Sequence, residues 1–121
     1  MEEIKTHKDL LVWQKSIDLV VEIYAATKSY PQEELFAITN QIRRCTTSIP
    51  ANIAEGSGRR SKSEFIQFLH ISLGSASELE TFLIISHKLD YINFTVYEKL
   101  NKSLSEIIKM ICGLIKSLKT T

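Results

Sequence analysis

Four stretches of this chain repeat apolar side chains every three or four residues, and none alternates them every second residue. That period buries one stripe of a helix and does not fit a strand, so it narrows the fold to packed helices. The first stretch runs from about Asp9 to Lys28, with Leu10, Trp13, Ile17, Val20, Val21 and Tyr24 as its stripe. Asp9 is the expected cap and Pro31 the stop. The second opens near Glu33 and Glu34, whose charges suit the positive end of a helix. It places Phe36, Ile42, Cys45, Thr46, Ile49, Ile53 and Gly56 on or near one face. Pro50 lies inside this pattern and deletes one backbone hydrogen bond, so the helix is expected to kink near Pro50 without breaking and to end at Gly56 to Gly58.

The third helix opens on the capping-box pattern Ser61-Lys62-Ser63-Glu64 and runs to about Leu89. Its middle, Ser72-Leu73-Gly74-Ser75-Ala76-Ser77, is made of small residues that let another helix come close. A second capping-box pattern, Thr95-Val96-Tyr97-Glu98, precedes a regular seam from Leu100 through Leu104, Ile107, Ile108, Ile111, Leu114 and Ile115 to Leu118. With short connections between them, these segments predict an all-α, antiparallel up-and-down four-helix bundle. A chain of 121 residues fits one domain, residues 1–121, with one core and no need of staples. The expected core seam includes Trp13, Ile17, Ile42, Ile49, Ile53, Phe65, Leu79, Phe82, Leu104, Ile108 and Ile111.

Charge singles out the stretch from Thr39 to Lys62. It holds every arginine in the chain (Arg43, Arg44, Arg59, Arg60) together with Lys62, against the one acid Glu55. The whole chain is only +1, so the remainder is acidic. Arginine suits oriented, bidentate contacts better than a solvated face does. At 100° per residue Gln41, Arg44, Ser48, Ala51, Asn52, Glu55 and Arg59 fall on one polar stripe whose residues are short where a solvated helix would carry lysine and glutamate. The stripe therefore reads as a contact surface for another subunit, with Arg44 and Glu55 pairing to their counterparts on a neighbour. The alternative is nucleic-acid contact through Arg43, Arg44, Arg59, Arg60 and Lys62.

No catalytic constellation stands out. His70 and His87 follow Gln67 and Ile84 at the spacing where a di-iron bundle would need glutamates. Gly56-x-Gly58 lacks the strand-turn-helix setting of a phosphate loop. Glu78 and Glu80, after Gly74-Ser75, point in different directions on a helix. Neither an enzyme, a metal site, a cofactor nor a small-molecule substrate is expected. The N-terminus lacks a signal-peptide core, and no apolar run approaches the ~18 residues of a membrane span. Cys45 and Cys112 read as reduced core thiols, and the location as cytoplasmic.

The run Gln41-Ile42-Arg43-Arg44, then Ser48-Ile49-Pro50-Ala51-Asn52-Ile53-Ala54-Glu55-Gly56, Arg60, Glu64-Phe65 and Phe68-Leu69 resembles the four-helix-bundle family encoded by intervening sequences in bacterial 23S rRNA genes. Leu11-Val12-Trp13, Tyr30-Pro31 with Glu34, and Gly74-Ser75 with Glu78-Leu79-Glu80 fit the same pattern. The resemblance implies a homopentameric ring with no established enzymatic activity. It extends to the accessory proteins of diversity-generating retroelements, basic pentamers that bind nucleic acid. Two functions follow as expectations: a self-assembling structural or adaptor protein, or an RNA-binding accessory module using the arginine cluster.

Overall fold

The computed structural model describes residues 6–120. Four helices form an antiparallel bundle: α1 (Leu11–Thr27), α2 (Ile38–Ser57), α3 (Lys62–Lys88) and α4 (Phe94–Lys119). No strand occurs among the described residues. The most extensive packing is between α2 and α3, followed by α1 with α2 and α3 with α4; α1 and α4 close the ring of neighbours.

The helix ends follow their capping chemistry. Ser61 accepts a hydrogen bond from the Glu64 amide at 3.1 Å, as the capping-box pattern predicts. The α4 cap differs from expectation: Asn93 holds the Val96 amide at 2.8 Å, two residues before Thr95. Asparagine caps at least as well as threonine, and the earlier start adds about half a turn to the helix. Asp9 does not cap α1 either. It closes a 3-10 turn at His7–Asp9, where Thr6 and Asp9 cap reciprocally, and α1 begins after Leu10. A second 3-10 turn, Gln32–Glu34, takes the acidic residues expected at the start of α2. Between α3 and α4 the chain reverses through Asp90, whose φ of 61° is left-handed, while the Tyr91 amide donates to the Ser86 carbonyl at 2.9 Å. That is the closing geometry usually given to glycine.

The core is lined by Leu19 and Ile23 of α1, Ile42, Ile49 and Ile53 of α2, Leu69, Ala76, Leu79 and Leu83 of α3, and Leu104, Ile107 and Ile111 of α4. The faces read from sequence hold for α3 and α4, and for α2 apart from Phe36, which is 91% exposed. For α1 the expectation is corrected. Val12, Ser16, Leu19, Ile23 and Thr27 turn inward, whereas Ile17, Val21 and Tyr24 are exposed and Trp13 is half-buried. The helix carries two apolar arcs, and the buried one contains two hydroxyls. Ser16 donates to the Trp13 carbonyl at 2.7 Å and Thr27 to the Ile23 carbonyl at 2.8 Å, so neither polar group is left unpaired in the core. Phe65, Phe82 and Ile108 are half-buried at the edge of the core.

Helix α2 runs unbroken through Pro50. Thr46 and Thr47 turn their hydroxyls back onto the carbonyls of Ile42 and of Arg43 and Arg44, an arrangement that competes with regular helix bonding near a proline. Helix α3 is long and apolar enough to cross a membrane by length and composition alone, although no unbroken apolar run in it approaches that length. In the bundle its apolar residues are divided between a buried face against α2 and α4 and an exposed flank.

Candidate subunit interface

The expected contact stripe of α2 lines a groove against α3. Ser48 is its centre: Asn52 Nδ2 donates to the Ser48 carbonyl at 2.8 Å and to its Oγ at 2.9 Å, and Ser75 of α3 donates to the same Oγ at 2.8 Å. One step deeper, Ser72 donates to the Ile49 carbonyl at 2.9 Å in the core. The small-residue run of α3 is therefore the part that brings α3 close to α2. Gly56 belongs to the same seam, since a Cβ there would lie 2.6 Å from Phe68 Cβ and 2.9 Å from Phe65 Cδ1.

Two open clefts follow the groove. One, of about 500 Å³, lies between Ala51, Asn52, Ala54 and Glu55 of α2 and Phe68 of α3. The other, of about 300 Å³, lies between Gln41, Arg44, Cys45 and Ser48 and the α3 residues Ser75 and Glu78. Gln41, Arg44 and Ser48 thus line one cleft of the groove, and Ala51, Asn52 and Glu55 line the other. Arg59 lies beyond its end, stacked over the Phe68 ring at 4.8 Å and bridged to Glu55 at 3.1 Å. Both members of that i,i+4 pair are exposed, so it contributes little to stability. It occupies one oxygen of Glu55, so a neighbour's Arg44 pairing with Glu55 would share the carboxylate with Arg59.

The arginines do not form one patch. Arg43 faces α1, where its Nε donates to Thr27 Oγ1 at 3.0 Å and its guanidinium lies 4.7 Å from the centre of the Tyr24 ring. Arg44 is exposed on the groove side. Arg59, Arg60 and Lys62 follow the end of α2, some fifteen residues on, or about 22 Å at the helical rise. The local charge excess is divided between the two ends of one helix.

The remaining reactive groups have structural surroundings. Cys45 is buried, and burial together with the nearby Glu78 carboxylate pushes its thiol up to about 12. Cys112 is exposed, a correction to its reading as a core thiol; it falls on the outer face of α4. His7 lies edge-on to Trp13 at 5.0 Å, and His87 stacks on Tyr97 at 5.0 Å beside Phe94. No three His, Cys, Asp or Glu residues converge as metal ligands among the described residues. Aromatic exposure is greater than the sequence suggests: Tyr24, Phe36 and Phe94 all reach the surface.

The apolar exposure flanks α2 on both sides. On the α1 side it consists of Ile17, Val21 and Tyr24, and on the α3 side of Ile71, Ile85 and Leu89. No periodicity argument isolates these residues, because any one stripe of them reads as a core stripe.

The fold has a close counterpart of known structure. A protein of unknown function from the S23 ribosomal protein family of Bacteroides thetaiotaomicron superposes with a TM-score of 0.81 at 34% identity, covering 88% of this chain and 99% of that one. Among curated proteins no match is found. The family model described as 23S rRNA-intervening sequence protein matches residues 8–113, and the chain belongs to that family.

Proposed function

We propose that this chain is a non-enzymatic, self-assembling helical bundle that forms a homopentameric ring in the cytoplasm and serves as a structural or adaptor protein. The observation that carries this reading is the exposure of large apolar side chains on both flanks of α2 in a bundle whose core is already filled: Val21 is 64% exposed, Leu89 51% and Ile71 49%. Exposed apolar surface of this kind marks interaction sites. Two unlike flanks suit a head-to-tail contact, which closes into a ring when the rotation allows. The subunit number of five rests on the family resemblance.

RNA binding is the second reading, favoured by the exposure of Arg44 and Arg60. A ring would repeat these cations once per subunit, making a divided patch effective through multivalency. Native mass measurement with and without nuclease during purification tests both. A pentamer free of nucleic acid supports the structural reading. Nuclease-sensitive extra mass, with retention that falls steeply with salt and is lost when Arg43, Arg44, Arg59 and Arg60 are changed to glutamine, supports the RNA reading. A monomer at roughly tens of micromolar overturns self-assembly.

A further inference from the structure

The geometry points to a specific head-to-tail contact: the exposed α1 ridge of one copy, Ile17, Val21 and Tyr24, seats in the α2–α3 groove of the next. The inference rests on the self-assembly proposed above and adds which surfaces meet and in what register.

Height along the bundle is the first argument. Arg43 bonds Thr27 and covers Tyr24, which fixes that end of α1 level with Arg43. Ile17 lies seven residues back, about 10 Å along an antiparallel helix, and so comes level with Pro50. Across α2, the bond from Ser72 to the Ile49 carbonyl brings Ile71 to that same level. Ser75 lies level with Ser48, and Glu78 with Arg44, on the walls of the second cleft. Any neighbour generated by a rotation about an axis along the bundle presents its features at unchanged height. Ile17 of one copy then meets Ile71 and Ala51 of the next, and Val21 meets the small floor at Ser48 and Ser75.

Shape and charge agree with that register. The ridge is bulky and apolar, while the groove floor is small and its Ser48, Asn52 and Ser75 side chains are hydrogen-bonded to one another, which lowers the cost of covering them. Lys28 continues the ridge one turn beyond Tyr24; Glu78 on the far wall comes level with Tyr24, about 6 Å short of Lys28 along the axis, a gap that the flexible lysine stem spans. The pairing of opposite charges at one end of an apolar contact fixes register and disfavours a slipped alternative. The faces are unlike, so each copy keeps one ridge and one groove free until a ring closes.

Disulfide trapping tests the contact in a Cys112→Ser background, which silences the exposed native thiol. Ile17→Cys and Ile71→Cys chains are oxidised alone and after co-expression. Cross-linked dimers from the co-expressed pair only, and a ladder ending at the ring number from the double variant, support the proposal. Dimers from either variant alone indicate a two-fold contact between like faces and overturn it. Val21→Glu and Ile71→Glu, both at exposed positions, should leave helicity intact and raise the concentration for half-assembly by about tenfold or more. Lys28→Glu should weaken assembly, and adding Glu78→Lys should restore it. If wild type assembles while the trapping and charge variants have no effect, this contact is wrong and the ring reading stands. If wild type is monomeric, self-assembly itself fails.

Discussion

A methyl group on Gly56 would sit 2.6 Å from Phe68 Cβ, closer than packed carbons approach, so the glycine sets the distance between α2 and α3. Gly56→Ala improves helix propensity by about 1 kcal/mol, yet the overpacking penalty of about 1–3 kcal/mol should dominate. A denaturant midpoint at or above wild type would show that the seam can open without cost. Ile49 is wholly buried beside it, and Ile49→Ala should cost about 2–5 kcal/mol through lost transfer energy and a cavity. Phe82, only half-buried, should cost less when truncated. The two cysteines separate by environment. In the native protein a thiol reagent should modify Cys112 alone, with Cys45 reacting only on unfolding. Cys45 keeps its proton in the folded state to about 12, whereas the unfolded thiol loses it near 9.0. Unfolding therefore releases a proton in that window, and stability should fall as pH rises from 9 towards 12 while remaining intact below it. The raised Tyr30 hydroxyl acts in the same direction. A Cys45→Ala series in which the alkaline decline is as steep as in wild type would assign it elsewhere.

At the scale of the helix, the sequence is most legible where chemistry and period agree. Helix α3 adds an exposed apolar flank to the buried face read from its period, whereas α4 has one apolar stripe and its buried face follows directly. Helix α1 has two, and the more hydrophobic one is the exposed one, since the buried arc includes Ser16 and Thr27. A transfer scale counts those hydroxyls as polar and cannot anticipate that each is satisfied by a carbonyl of its own helix. The α4 start shows the same limit on a smaller scale: Asn93 and Thr95 are both capping residues, and the tertiary path of the chain chooses between them. Asn93→Ala should therefore cost about 1 kcal/mol, and Thr95→Ala close to nothing, by chemical denaturation. Equal costs would return the cap to the position that the capping-box pattern favours. The groove was half legible. The short residues of α2 and of α3 are visible as sequence runs, and their contact is the Ser48–Ser75 bond. The α1 ridge was hidden by its resemblance to a core face. The arginine cluster, compact in sequence, is spread by the helix over its two ends.

The whole molecule is a bundle that satisfies its core and leaves apolar side chains over on opposite flanks of one helix. Phe36, 91% exposed just before α2, sits at the same end of the bundle as Ile85 and Leu89. A neighbour at equal height would bring Phe36 of one copy level with Ile85 and Leu89 of the next, as the proposed ridge-and-groove register requires. Covering such surface only in the assembled, folded state links assembly to stability: a species that forms from folded chains and not from unfolded ones stabilises the fold by mass action. The melting temperature should then rise with protein concentration, and an apolar dye should bind more strongly to diluted, dissociated protein than to the concentrated ring. Phe36→Ser separates the two contributions. The side chain makes no core contact, so within a monomer its loss should change stability by no more than about 0.5 kcal/mol. In the ring it removes buried apolar area, so the variant should match wild type when dilute and melt below it when concentrated. A melting temperature that is independent of concentration in both proteins would mean that the apolar flanks stay exposed, and the argument for a ring would lose its physical basis.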